Sequence, residues 1–296
     1  MDEPWRFERI TLPSGLNMRI ARAGQGPLVL MLHGFPECWY SWRYQLRALS
    51  SAFECVAPDM RGYGETDAPE GVANYRIEKL VEDIAGLIGT LGRQRAHVVG
   101  HDWGGAVAWA TAIGRPEVVE RLAVLNCPHP ARFRAHIRSN PRQMLRSWYM
   151  LFFQIPYLAD ALLRMNGAAM VGRMIRGSAV NKAAFSDEDL AHFREAFKRP
   201  YTARAALNYY RALRRRDLWR PPAEHWLDAR ISAPTLLIWG EQDVALGKEL
   251  TYGMEDLFTG PFEIKYVPDS GHWVQQEKPE LVNQYLMEFL SSPSKR

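Results

Sequence analysis

Cysteine is scarce in this chain. Only Cys38, Cys55 and Cys127 occur in 296 residues, at no metal-ligand spacing, which excludes a disulfide-stapled scaffold or a zinc finger and suits a reduced compartment. Long hydrophobic runs are missing as well. No stretch approaches the roughly 18 apolar residues of a membrane span, and the opening Met1-Asp2-Glu3-Pro4 has neither the basic nor the apolar region of a signal peptide. A cytoplasmic protein is therefore expected. Neither internal repeats nor low-complexity tracts interrupt the chain.

What is present is an ordinary globular composition, 47% hydrophobic and 24% charged, long enough for one large domain or a domain with an insertion. The net charge of +4 conceals an uneven distribution. Residues 130–222 hold 18 of the 37 Lys and Arg but only 6 of the 33 Asp and Glu, a balance of +12 that leaves −8 for the rest. A basic segment suits nucleic acid or an anionic membrane. Here the arginines are interleaved with apolar residues at helical spacing and no nucleic-acid motif accompanies them, so a solvated helical face is expected and nucleic acid is not. Membrane-surface contact through this segment stands as the next reading.

The chain is organised around His97-Val98-Val99-Gly100-His101-Asp102-Trp103-Gly104-Gly105-Ala106, a short buried strand, a tight turn and the start of a helix. With serine at the centre of G-x-D-x-G, the layout resembles the nucleophile elbow of α/β-hydrolases. Here the centre is a carboxylate, which attacks saturated carbon bearing a leaving group and leaves an ester that water must open. The competing reading is that Asp102 merely caps the following helix.

Around the elbow, strand and helix alternate. A hairpin spans residues 5–22. The continuous apolar run Pro27–Leu32 is a strand buried on both faces and ends at His33-Gly34-Phe35-Pro36; a helix follows over 41–49, a strand over 53–59 and a helix over 77–91. This is the pattern of an α/β protein with a mostly parallel sheet and helices on both faces. The backbone N–H groups of Phe35 and Trp103 are placed to form an oxyanion hole at Asp102. After the strand Leu122–Asn126 the alternation stops. Residues 131–225 read as helical, with breaks at Pro141, Pro156, Gly167, Gly177, Pro200 and Pro221-Pro222. The chain thus divides into a core of 1–130 and 226–296 and an inserted helical lid over the sheet's C-terminal edge. Strands return over 235–239 and 262–267 with a helix between them, and a helix over 279–290 closes the chain.

Asp102, Asp243 and His272 follow one another in the order nucleophile, acid, histidine, each just after a strand. His272 then serves as base toward water and Asp243 orients it. His33 is expected to brace its loop and His101 lies beside the elbow; His97, His129, His136, His192 and His225 are expected to be structural or on the surface.

With these residues in place the chain resembles the α/β-hydrolase family, and within it the epoxide hydrolases related to the mammalian soluble enzyme. The motifs carrying the resemblance are His33-Gly34-Phe35-Pro36-Glu37, Asp59-Met60-Arg61-Gly62-Tyr63-Gly64, Gly100-His101-Asp102-Trp103-Gly104-Gly105 and Gly271-His272-Trp273. It implies two lid tyrosines that donate to the epoxide oxygen, carried over onto Tyr149 in Tyr149–Pro156 and onto Tyr210 in Asn208-Tyr209-Tyr210-Arg211. A phenol, with a pKa near 10, keeps its proton at neutral pH and suits the task. The expected partners are water and a mainly hydrophobic epoxide, with neither metal nor organic cofactor, and a pocket walled by Phe35, Trp39, Trp103, Phe153, Val244, Leu246 and Trp273. Haloalkane dehalogenases share the aspartate, but Phe35 stands where many carry a halide-binding Asn, while Trp148 keeps a lid donor in view. A non-catalytic binding protein should lack one of the five groups, and all are present. Monomer and homodimer both remain open.

Overall fold

The computed structural model describes residues 3–213 and 226–292. Eight strands form one sheet: β1 (Arg6–Thr11), β2 (Asn17–Ala23), β3 (Leu28–Leu32), β4 (Glu54–Pro58), β5 (Ala96–His101), β6 (Val119–Leu125), β7 (Thr235–Gly240) and β8 (Phe262–Val267). Their order is β1-β2-β4-β3-β5-β6-β7-β8. Only β1 with β2 and β2 with β4 pair antiparallel. Every residue of β3, β4, β5 and β7 is buried, as strands covered by helices on both faces require. On one face α2 (Ile77–Thr90) packs on α3 (Trp103–Gly114); on the other, α1 (Arg43–Leu49) packs on the closing helix Pro279–Ser291.

The chain leaves β3 toward β4 on one side and returns to β5 on the other. That reversal opens a crevice at the C-terminal ends of β3 and β5, the place where open α/β sheets bind ligands. The Phe35 loop and Asp102 lie there.

Between β6 and β7 the cap contributes α4 (Pro130–Ser139), α5 (Pro141–Arg146), α6 (Trp148–Phe152), α7 (Leu158–Ser178), α8 (Asp187–Lys198) and α9 (Thr202–Ala212). Prolines open α4 and α5, where a missing N–H costs nothing. Asn140 caps α5 by accepting from the N–H groups of Arg142 at 3.0 Å and Gln143 at 3.3 Å. At Gly167 the expected break is a kink within α7, with Asn166, Gly167 and Ala168 all at positive φ; Gly177 instead lies inside the last turn of that helix. The cap is fastened to the core. Tyr209 donates to the Arg61 carbonyl at 2.8 Å, Arg43 pairs with Asp189 at 3.0 Å, and the Trp273 indole donates to Ser178 at 2.9 Å.

One element differs from expectation. Between Asp243 and Phe262 there is no continuous helix but two single turns, Lys248–Thr251 and Glu255–Leu257. Gly253, at φ 63°, separates them. Among the described residues no helix is long and apolar enough to cross a membrane. His225 and Pro221-Pro222 lie outside the described residues.

The tightest packing is where β5 crosses α3. A Cβ on Gly100 would run into the Gly104 carbonyl, and one on Gly104 into the Leu32 carbonyl. These are backbone atoms that cannot swing aside, so Gly100→Ala should cost about 1–3 kcal/mol, read as a lowered urea midpoint with unchanged m-value. A variant as stable as the parent would show that the crossing is looser than this.

Candidate active site

At the elbow Asp102 holds φ 49° and ψ −120°, a combination that a residue with a side chain adopts only when its surroundings enforce it. Its carboxylate makes no capping bond to α3, so the cap reading fails. Instead Oδ1 accepts the Phe35 N–H at 2.7 Å, an approach that the missing side chain of Gly34 leaves room for. Trp103 opens α3 directly behind it, at a helix N-terminus where backbone donors lack intrahelical partners. The loop bearing Phe35 is braced as expected by His33, whose Nδ1 donates to the Gly34 carbonyl at 2.9 Å while Nε2 accepts from the Met60 N–H at 3.0 Å. Burial pushes this imidazole's pKa down, consistent with a neutral ring.

Asp102 Oδ2 lies 3.6 Å from His272 Nε2, and His272 Nδ1 is 2.7 Å from Asp243 Oδ2. The three residues come together in line. Burial alone would lower the His272 pKa, but Asp243 and then Asp102 hold it well above the usual range. Burial would likewise raise Asp243, yet His272 first, then the Leu246 N–H and Asn126, keep it low. Asp243 Oδ1 accepts from the N–H groups of Ala245 at 2.8 Å and Leu246 at 2.9 Å, bonds that shape the turn where a helix was expected.

Two supports were not expected. Asn126, fully buried at the end of β6, donates to Asp243 Oδ2 at 2.8 Å and accepts the Gly240 N–H at 2.9 Å. His101 donates from Nε2 to the His272 carbonyl at 2.8 Å and meets Glu37 at 2.9 Å through Nδ1. Glu37 is further held by Ser41 and Gln276, each at 2.7 Å. The clues in sequence were an asparagine ending a strand and a glutamate in the His33–Glu37 motif. Neither betrays its partner.

A cavity of about 680 Å³ opens over Asp102 and is lined by Trp103, Tyr149, Tyr210 and Leu246. The rings of Tyr149 and Tyr210 are 6.0 Å apart. Burial, and then the charge of Asp102, raises both phenol pKa values; for Tyr210 a hydrogen bond with Trp103 works the other way. Both hydroxyls therefore keep their protons at neutral pH.

Of the seven side chains expected to wall the pocket, the cavity is lined by Trp103 and Leu246. Phe35 and Phe153 stack edge-on behind Tyr210, at 5.4 and 5.0 Å between ring centres, and back the tyrosine instead of lining the cavity. Trp39 faces away, packed on Trp5 and Phe7 of the N-terminal hairpin. Trp273 packs on His272, and Val244 is 57% exposed. The wall is instead completed by Cys127, Phe133, Met150, Tyr209, Trp226 and Leu227. A second cleft of about 810 Å³ runs between Arg9, Glu65 and Arg199 and touches none of these catalytic candidates.

A strained carboxylate elbow, an Asp-supported histidine and an inserted helical cap define the class. Residues 27–279 match the alpha/beta hydrolase fold family, and the chain belongs to it. Within that class its relatives are largely epoxide hydrolases, and the chain is a member of their branch, a hydrolase. It is 36% identical to human Epoxide hydrolase 4 over 96% of this chain and 78% of that protein. It is 40% identical to the AB hydrolase superfamily protein YfhM of Bacillus subtilis, over 94% and 96%. The crystal structure of Bacillus megaterium epoxide hydrolase in complex with an inhibitor superposes with a TM-score of 0.88 at 31% identity, over 96% of this chain and all of that one.

The ion pair yields a pH signature. His272, raised on folding, adds stability that is complete below its usual 6.5 and is lost as pH climbs through the folded value. Asp243, lowered on folding, adds stability above its usual 3.8 that is lost as pH falls through the folded value. The stability lost on Asp243→Asn, measured by urea unfolding, should therefore be greatest between those two values and shrink in acid and in alkali. A loss independent of pH would show that the imidazole is not held charged by its partner.

Proposed function

We propose that this chain opens a mainly hydrophobic epoxide to a vicinal diol through a covalent ester on Asp102. The observation that carries the proposal is a carboxylate at the elbow facing the same cavity as two protonated phenols. Asp102 Oδ2, the oxygen not held by Phe35, attacks one ring carbon. As the C–O bond breaks, Tyr149 and Tyr210 donate to the departing oxygen, which stays on the product as a hydroxyl. Asp102 Oδ1 is now the ester carbonyl.

Esterification removes the Asp102 charge that helped hold the His272 proton. The imidazole gives up that proton, which restores the one the phenols delivered to the epoxide oxygen; now neutral, it takes a proton from water, which attacks the ester carbon. Negative charge gathers on Oδ1, where the Phe35 N–H already donates at 2.7 Å and the Trp103 N–H completes the oxyanion hole. The ester C–O bond then breaks, the leaving oxygen takes the proton of the hydroxyl that water added, the diol leaves, and Asp102 is a carboxylate again beside a protonated His272. Asp243 stays ionised throughout and orients His272. Trp103 and Leu246, with the apolar wall, favour a hydrophobic substrate.

The dehalogenase alternative requires donors for a halide. Trp148, the lid indole suited to that task, is 63% exposed on the outside of the cap.

The decisive experiment is the intact mass of His272→Gln after exposure to a mixture of epoxides and haloalkanes. Deprived of its base, the protein should gain the mass of a whole epoxide, located at Asp102 by peptide mapping. A gain of an alkyl group with halide released would instead make it a dehalogenase. The Tyr149→Phe/Tyr210→Phe double variant should slow adduct formation by about 10²–10⁴-fold; an unchanged single-turnover rate would remove the tyrosines from the mechanism.

A further inference from the structure

Among the described residues the cap has apolar side chains turned toward the cavity and others turned to solvent. On α6, Tyr149 and Met150 line the cavity, while Trp148 and Leu151 point the other way and are 63% and 71% exposed. Leu145 on α5, and Ile155 and Leu158 after α6, are exposed as well, Leu145 at 71%. Scattered exposed leucines need no explanation, but five large exposed apolar side chains between Leu145 and Leu158, called here the ridge, mark a stretch that meets something apolar.

Charge identifies the occupant. No Asp or Glu occurs from Pro130 to Ala159. The first acid after that, Asp160, is buried and consumed by Arg211 at 2.6 Å. Arg142 and Arg164, before and after this stretch in the chain, are exposed. Arg146 has Glu249 only at 3.8 Å. An isologous dimer through this face would set the basic segment against its own copy. An anionic bilayer offers both an apolar layer and a complementary charge.

We propose that the α5–α6 ridge is a docking surface for anionic phospholipid membranes, with Leu145, Trp148 and Leu151 entering the acyl boundary and Arg142 and Arg164 meeting the headgroups. The outer wall of the cavity then rests on the phase in which a hydrophobic substrate dissolves. Docking itself does not depend on the proposed reaction, and its test uses no substrate.

The full chain is co-sedimented with vesicles of phosphatidylcholine alone and of phosphatidylcholine mixed equally with phosphatidylglycerol, at low and high salt. Binding to the anionic vesicles, reversed by salt, is expected. Leu145→Ser and Leu151→Ser should each weaken it by about tenfold, and Arg142→Gln by about fivefold on anionic vesicles. Thermal melting and circular dichroism of each variant, matched to the parent, exclude misfolding as the cause. The proposal is overturned if the parent does not sediment with anionic vesicles or if the folded variants bind as the parent does. It is equally overturned if sedimentation velocity shows a dimer that Leu145→Ser/Leu151→Ser dissolves, since a second copy would then cover the ridge.

Discussion

The close crossing of two backbones, where β5 turns into α3, is the contact on which the rest of the molecule depends. Gly100 and Gly104 meet with no room for a Cβ, and Gly104 also presses on the Leu32 carbonyl of the neighbouring strand. Only then can Asp102 be forced to φ 49° with its carboxylate raised above the sheet. The neighbouring loop must reach in as well, and Gly34 lets it do so until the Phe35 N–H touches Asp102 at 2.7 Å. A parallel sheet supplies the frame, because its order reversal leaves the ends of β3 and β5 open side by side.

Concentrating charge at this point is costly, and the structure offsets the cost with directed donors. Asp243, Glu37 and Asp102 face His272 and His101 within a small volume. Each carboxylate is met by N–H or O–H groups that cannot leave: Ala245, Leu246 and Asn126 on Asp243, Ser41 and Gln276 on Glu37, Phe35 on Asp102. The result is an imidazole, the base of the proposed reaction, whose charge state follows that of Asp102. When Asp102 carries charge, the imidazole is held protonated; when that charge is removed, the proton is free to go.

The cap contributes what the sheet cannot. Helices crossing the crevice bring Tyr149 and Tyr210 to the cavity over Asp102 with their rings 6.0 Å apart, where the proposed reaction needs proton donors. Their backing is aromatic: Phe35 and Phe153 pack against Tyr210, and Trp103 meets it edge-on at 5.1 Å. Such packing fixes the ring at the cavity wall. The same short helix turns its opposite side outward, so the cap wall serves the cavity and presents the exposed ridge at once.

Much of this was legible in the residues alone. Strand-helix alternation, the helical insertion, the carboxylate elbow and the order Asp102, Asp243, His272 are local patterns, written in spacing and side-chain size, and the structure places all of them together. What spacing cannot carry is which side of an element meets a distant partner. Trp39 went to Trp5 and Phe7 because the N-terminal hairpin folds back over it, and Val244 lies outside because the turn after Asp243 bends around that carboxylate and forms no helix. Asn126 found Asp243 only when β6 and β7 came side by side, and Glu37 reached beneath His272 only through His101. The sequence by itself determined the kind of fold and the carboxylate at the elbow, because those follow from residue type and contacts among near neighbours in the chain. The tertiary structure alone decided which buried polar groups support Asp243 and His272 and which side chains face the cavity, because those depend on packing between segments separated by tens to well over a hundred residues.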